Sequence, residues 1–136
     1  MNDPFVGRWK LNPQRSTFDA NHRPTGATME WVRHEEGGYL MTAVGTKANG
    51  ESVTERPQRF IPDGEPRPVP DFPGLSAVTT QPNPHTIQAE ARREDGSLAG
   101  AGNYVVSTDA RSLTATTTGF DSQLRRFESR TVWDRV

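Results

Sequence analysis

Apolar and polar residues alternate in short segments along almost the whole chain. Residues 5–11 place Phe, Gly, Trp and Leu at every second position, and a period of two recurs from residues 27–32 to residues 127–132. Such alternation is typical of strands that bury one face. No segment has the 3.6-residue periodicity of a convincing helix. The pattern therefore predicts about nine or ten short strands.

Turn signals separate these segments at short intervals. Gly37-Gly38, Asn49-Gly50 and Asp95-Gly96 predict tight hairpins, and Asn12-Pro13 predicts the end of the first strand. Residues 62–73 are rich in proline, which predicts a stiff loop, either a lid or a plain connector.

Consecutive hairpins give an up-and-down strand order. We therefore expect one all-β domain spanning residues 1–136, folded as a single antiparallel β-barrel of about 8–10 strands, because closure removes exposed sheet edges. A two-sheet sandwich is the alternative fold.

Composition narrows the function classes. Only 32% of the residues are hydrophobic and the formal net charge is −1. The low apolar content suits a thin-walled closed sheet with a wet outer face. The weak charge argues against nucleic acid as a partner. No apolar run reaches membrane-spanning length and no signal peptide is visible, so we expect a cytoplasmic protein without membrane insertion.

The period of two assigns residues to an inner face of the barrel. Aromatic and methionine side chains cluster on the first and last strands, and several residues between them are small, which leaves room for a small hydrophobic molecule. The alternative is a flattened barrel with a dry, packed core. The candidate ligand-binding residues are Met29, Trp31, Tyr39, Met41, Ile87, Ala89, Ala101, Phe127, Ser129, Thr131 and Trp133.

Four polar residues are the candidates for catalysis, of which Glu55 is in phase with Val53 and Asn103 with Ala101. A buried Glu55 would have a raised pKa and would serve as an acid or base; alternatively, it points to water or pairs with an arginine such as Arg130. The other catalytic candidates are Tyr39, Tyr104 and Asn103.

The sequence gives no reason to expect a metal or a cofactor. Its histidines, His22, His34 and His85, share no ligand spacing, and cysteine is absent. No phosphate-cradling loop or dinucleotide-binding motif occurs.

Gly7 and Trp9 define a predicted barrel floor. Glycine removes a Cβ where the chain is crowded, and Trp9 would plug the floor. An arginine from a late strand, Arg135 or Arg130, would stack on the indole while its donors bind nearby carbonyl groups.

The motif Phe5-Val6-Gly7-Arg8-Trp9-Lys10-Leu11 resembles the opening strand of the calycin superfamily, especially of intracellular fatty-acid-binding proteins. Residues 131–136 are similar to the terminal strand of those proteins. Together with Ser16, Phe18 and Pro62-Asp63-Gly64, the opening also looks like a bacterial lipocalin-like family with no assigned activity. The resemblance implies a calycin-type barrel and a hydrophobic ligand.

One departure from this resemblance concerns the ligand. Fatty-acid-binding proteins hold the carboxylate with an inward Arg and Tyr on the last strand, where this chain has Thr131 and Trp133, and Arg130 is out of phase. A neutral or aromatic ligand is therefore expected.

Two other functions stay open. One is a cofactor-free enzyme, such as an isomerase, cyclase or lyase, that acts on a hydrophobic metabolite in the same cavity. The other is an outer surface that binds a protein through Arg125 and Arg126.

Overall fold

The fold is given by a computed structural model, which describes residues 3–17, 26–34, 37–46, 52–54, 57–69, 73–120 and 126–136. Within these ranges the chain forms eleven antiparallel strands and no helix. The strands are β1 (Gly7–Thr17), β2 (Gly26–Arg33), β3 (Tyr39–Thr46), β4 (Ser52–Thr54), β5 (Gln58–Phe60), β6 (Arg67–Pro68), β7 (Leu75–Asn83), β8 (Thr86–Arg93), β9 (Leu98–Val106), β10 (Ser112–Phe120) and β11 (Arg126–Arg135). Across the described ranges, no helix has the length and apolar character that a membrane span requires.

All eleven strands belong to one sheet. Hydrogen-bonded strands follow one another in the order β4-β3-β2-β1-β11-β10-β9-β8-β7-β6, and β5 pairs with β3. The first and last strands are therefore adjacent. At the two ends of this path, the Gly64 N–H donates to the carbonyl of Thr79 (3.0 Å), and the Gln81 amide donates to the Tyr39 hydroxyl (3.3 Å). The predicted up-and-down barrel is confirmed, rather than the sandwich.

The first strand is longer than predicted. β1 continues through Asn12 and Pro13 to Thr17, and its register against β11 shifts between Asn12 and Thr17. In this bulge the Ser16 hydroxyl donates to the Asn12 carbonyl (2.7 Å) and accepts the N–H of Val132 (2.8 Å). A side chain thus takes over a ladder hydrogen bond, which lets the strand pass the proline.

The proline-rich loop also contains an unpredicted ladder pairing. Arg67 and Pro68 form β6 and pair with Ala77 and Ser76 of β7. Pro68 is compatible with this position because β6 ends the path of the sheet, where a missing N–H costs no ladder bond.

Large side chains fill one end of the barrel, which we call the floor: the end where β1 begins and β11 ends. The Trp31 ring stacks on Phe60 with centroids 5.2 Å apart and meets Tyr104 edge-on at 5.5 Å. Rings from β2, β5 and β9 thus touch across the interior. The buried apolar residues here are Phe5, Trp9, Leu11, Met29, Trp31, Tyr39, Met41, Phe60, Ile87, Val106, Leu113 and Trp133. The floor half is therefore the packed core that the sequence left as an alternative.

The predicted faces of β9 are reversed. Tyr104 pairs with Ile87 and with Ala115, so it shares their inner face. Ala101 and Asn103 consequently lie on the outer face, and the prediction that they face inward is wrong. Both alternations of β9 carry small residues, but only one carries Val106, which is buried, and Tyr104, which packs against the core, and these two residues decide the register.

Candidate ligand-binding site

Arg135 and Trp9 close the floor together. The Trp9 ring is fully buried, its indole N–H donates to the Phe5 carbonyl (3.1 Å), and the Arg135 guanidinium lies 4.1 Å from its centroid. Nε, Nη1 and Nη2 of Arg135 donate to the carbonyls of Ala110, Val6 and Pro4. The predicted stacking of a late-strand arginine on Trp9 is confirmed, and the arginine is Arg135.

Gly7 makes this arrangement possible. Its φ is +135°, and a Cβ on this residue would lie 2.5 Å from Nη1 of Arg135. Only glycine combines this backbone conformation with the empty space that the guanidinium occupies.

A polar network ties the N-terminal segment to the same end. The Tyr39 hydroxyl donates to Asp3 (2.5 Å), and Arg33 bridges to the same carboxylate oxygen (3.2 Å). Burial, and then the hydrogen bond to Asp3, raises the pKa of Tyr39, so the phenol stays protonated at neutral pH. This catalytic candidate is thus engaged at the floor between Asp3 and Gln81.

The opposite half of the barrel, which we call the mouth half, has small residues on its inner face. Register with the buried floor residues places them inward at the far ends of the long strands. Each keeps partial exposure to solvent, in contrast to the buried floor. These residues are Ala27, Ala43, Gly45, Ala77, Ala91, Gly100, Thr117 and Ser129. These side chains are much smaller than the aromatic and aliphatic side chains that fill the floor.

Apart from Arg135 at the floor, the polar side chains on the inner face of β10 and β11 are uncharged hydroxyls. Thr117 and Ser129 are directly opposite each other, with their oxygens 2.9 Å apart. Thr131 accepts the indole N–H of Trp133 (2.8 Å) and donates to the carbonyl of Ala115 (3.4 Å). The two positions that the sequence resemblance matches to the carboxylate-binding Arg and Tyr thus bond to each other.

The described arginines of β11 either point away from the barrel interior or already donate to backbone carbonyls. Arg130 is exposed and pairs with Thr116 of β10 and Thr17 of β1, on the outer face. Arg135 faces inward, but backbone carbonyls bind its donors at the floor. Burial lowers the pKa of Arg135 from its usual value, although a guanidinium stays protonated in proteins.

The candidate ligand-binding residues divide between the two halves. Six of them belong to the packed floor: Met29, Trp31, Tyr39, Met41, Ile87 and Trp133. Ala89, Ser129 and Thr131 are partly exposed on the inner face, and Phe127 is paired in register with Gly119. Ala101 lies on the outer face.

The described catalytic candidates lie in two places. Tyr39 and Tyr104 both contact Trp31 in the floor cluster. Asn103 lies on the outer face, where its buried Oδ1 accepts no hydrogen bond from the residues that the structure describes. Glu55 lies outside the described residues. Among those that are described, no group of three or more His, Cys, Asp and Glu side chains is arranged to hold a metal ion.

Sequence reasoning missed several residues of the mouth half. Thr117 continues the alternation of Leu113 and Ala115 by one further step, so the period of two contained the signal for it. Gly100 and Gly102 face inward because Tyr104 does. That signal depended on the face of β9, which the alternation alone does not decide.

A groove of about 340 Å³ lies on the opposite, outer side of β1–β3. The exposed ion pair between Arg8 and Glu30 (3.2 Å) crosses it. Its lining residues are Arg8, Thr28, Met29, Glu30, Thr42, Val44 and Val136. This groove is open to solvent.

Comparison with solved structures gives matches over essentially the whole chain. The wild-type fluorescent protein UnaG matches with a TM-score of 0.59 and 14% identity, covering 100% of this chain and 100% of that one. Zebrafish ileal bile acid-binding protein, complexed with cholic acid, matches with a TM-score of 0.56 and 12% identity, covering 98% and 99%. As-p18, an extracellular fatty acid binding protein, matches with a TM-score of 0.54 and 14% identity, covering 98% and 97%.

These likenesses establish the class of fold. The chain shares the fold of these three proteins. No protein-family model matches the sequence, and a sequence comparison with curated proteins gives no match. The resemblance to a bacterial lipocalin-like family therefore stays a prediction.

Proposed function

We propose that this protein binds a small, neutral, hydrophobic or aromatic molecule in the mouth half of its barrel. The aromatic floor would form the base of the site. Ala89, Ala91, Thr117, Ser129 and Thr131 would contribute to its wall.

The observation that supports this proposal is the contrast in side-chain size along the barrel axis. Nearly all the large buried side chains are at the floor, whereas the inner face toward the mouth carries Ala, Gly, Ser and Thr with partial exposure. A protein that needed only a stable core would gain about 25 cal/mol for each Å² of further apolar surface buried there. An interior lined by small apolar residues with a few polar groups is typical of a ligand site.

The fold neighbours support the same class of function. As-p18 is a fatty acid binding protein, and the zebrafish protein was solved with cholic acid. Both of these ligands are amphipathic acids. The neutral character that we propose for the ligand of this chain therefore rests on its own residues, not on these neighbours.

Filling the mouth half should abolish binding. In Ala91→Phe, a large ring on the inner face of β8 would occupy the space that we assign to the ligand. A titration with pyrene, an apolar fluorescent probe, should give micromolar affinity for the unmodified protein and no saturable binding for this variant.

Ala101→Phe is the matched control because it adds the same ring to the neighbouring strand on the outer face. Its pyrene affinity should be unchanged. Circular dichroism must show that both variants are folded. Equal pyrene binding by Ala91→Phe, or unfolding of that variant alone, would mean that the mouth half does not hold the probe.

A neutral ligand should bind better than its acid. Thr131 and Trp133 offer no cation at the positions that match the carboxylate-binding pair, so an anion would lose its hydration without a charged partner. Calorimetric titration of a long-chain fatty acid against its methyl ester and its alcohol should favour the neutral compounds by about tenfold or more. Tighter binding of the acid would indicate an inward cation and contradict the neutral site.

The surroundings of two catalytic candidates give the enzyme alternative no support. Tyr39 is already bonded to Asp3 and Gln81, and Asn103 faces away from the interior. The cytoplasmic location stays a prediction from the sequence, since one fold neighbour, As-p18, is extracellular.

A further inference from the structure

The hydroxyl groups of Thr117 and Ser129 occupy a distinct place in the barrel. They form a direct cross-strand pair on the inner face, one step from the buried residue Ala115 toward the mouth. Both side chains are partly exposed, so the pair borders the interior space rather than the packed core.

The bond between the two hydroxyls uses only one of their two O–H donors. Each hydroxyl has one O–H to donate and two lone pairs to accept. The bond between Thr117 and Ser129 (2.9 Å) consumes one of the two protons, whichever residue donates it. The remaining O–H has no acceptor within the described residues. Thr131 differs, because its proton is donated to the carbonyl of Ala115.

The surroundings of the pair determine which kind of acceptor this O–H binds best. The inward row next to it runs from Ser129 through Thr117 and Gly102 to Ala89 across four strands. No member of the row is charged. Glu128 and Arg130, which flank Ser129 in sequence, are exposed on the outer face. An uncharged acceptor can therefore be bound here without the penalty of burying an ion.

An aromatic surface lies beside the same donor. The Tyr104 ring lies over Gly102, where a Cβ would come within 3.1 Å of it. Gly102 is the direct neighbour of Thr117 on β9. A ligand whose polar atom reaches the hydroxyl pair would thus place its adjoining apolar part against Tyr104.

We infer that the Thr117–Ser129 pair is a specificity-determining subsite that donates a hydrogen bond to a neutral carbonyl oxygen, of a ketone, ester or amide, on an apolar or aromatic ligand. This inference rests on the proposed function and adds to it the chemical class of the ligand. The subsite selects for the carbonyl, whereas the small-residue wall accommodates the skeleton.

The test compares two apolar probes that differ in the carbonyl. Prodan is a neutral naphthyl ketone, and pyrene is a hydrocarbon without an acceptor oxygen. The variant is the double substitution Thr117→Val and Ser129→Ala, which removes both hydroxyls and nearly preserves side-chain volume. We expect about a fivefold to tenfold loss of prodan affinity, the size of one net hydrogen bond, with pyrene affinity unchanged.

Thr116→Val is the matched control, because Thr116 is adjacent on β10 but pairs with Asn103 and Arg130 on the outer face. It should leave both affinities unchanged. An independent readout is the infrared carbonyl stretch of bound prodan. It should lie at lower frequency in the unmodified protein than in the double variant, because a donated hydrogen bond weakens the C=O bond.

The possible results separate this inference from the proposed function. Equal loss of prodan and pyrene affinity, or no loss of either, overturns the carbonyl subsite while pyrene binding itself still supports the barrel site. Failure of both probes to bind the unmodified protein overturns the proposed function. If the double variant does not fold, the double substitution Thr117→Ala and Ser129→Ala carries the same comparison because it also removes both hydroxyls, and an unchanged carbonyl frequency there overturns the inference.

Discussion

Replacing Trp9 by alanine should lower the free energy of unfolding by about 3–5 kcal/mol, the range for large buried aromatic side chains. The ring is completely buried in the floor, and its indole N–H bonds to the carbonyl of Phe5. The change leaves a cavity at the end of the barrel and removes the surface on which Arg135 stacks. Urea denaturation followed by far-UV circular dichroism measures the loss without relying on tryptophan fluorescence.

Leu98→Ala provides the comparison for this prediction. Leu98 is a large apolar residue at the start of β9, but it is 43% exposed. Its replacement should change stability by no more than about 0.5 kcal/mol. A loss below about 1 kcal/mol for Trp9→Ala would contradict the role of Trp9 as the floor plug.

Replacing Arg135 by methionine should cost about 2–4 kcal/mol, since partly buried carbonyls are left without donors. Methionine keeps much of the length of the side chain and can still pack on Trp9. It cannot bond to the carbonyls of Pro4, Val6 and Ala110. The same denaturation measurement applies, and protection of the amides near residues 5–9 from hydrogen exchange should fall as well.

Arg130→Met is the control on the same strand. Arg130 is exposed on the outer face, so its loss should change stability by about 0.5 kcal/mol at most. Equal effects of the two substitutions would show that the carbonyl cluster at the floor does not depend on the Arg135 guanidinium.

The position of the floor could be predicted because the residues that indicate it are close together in the sequence. Gly7 and Trp9 sit two residues apart in one strand, and a glycine before a large aromatic residue indicates crowding. The choice between Arg135 and Arg130 required the register, since it is the pairing of Trp9 with Arg135 that places the guanidinium on the indole.

The candidate site was less predictable because it depends on which face each strand presents. On β8 the alternation of Ile87 with polar neighbours is clear, and Ile87 is inward and buried. On β9 both alternations consist of small residues until Tyr104. Shifting the assignment by one residue exchanges Ala101 for Gly102 on the inner face. Only pairing with β8 and β10 resolves this choice.

By itself, the sequence determined the all-β class, the up-and-down order and the place of Gly7 and Trp9 at the floor, because period-two alternation and short turns are properties of neighbouring residues. The tertiary structure decided which strands are neighbours and which side chains meet inside the barrel. It joined β1 to β11, gathered Trp31, Phe60 and Tyr104 into one packed half, and left small side chains in the other. It also placed the Thr117 and Ser129 hydroxyls 2.9 Å apart. Such contacts join residues far apart in the chain, so they depend on strand register and barrel curvature, which no local pattern encodes.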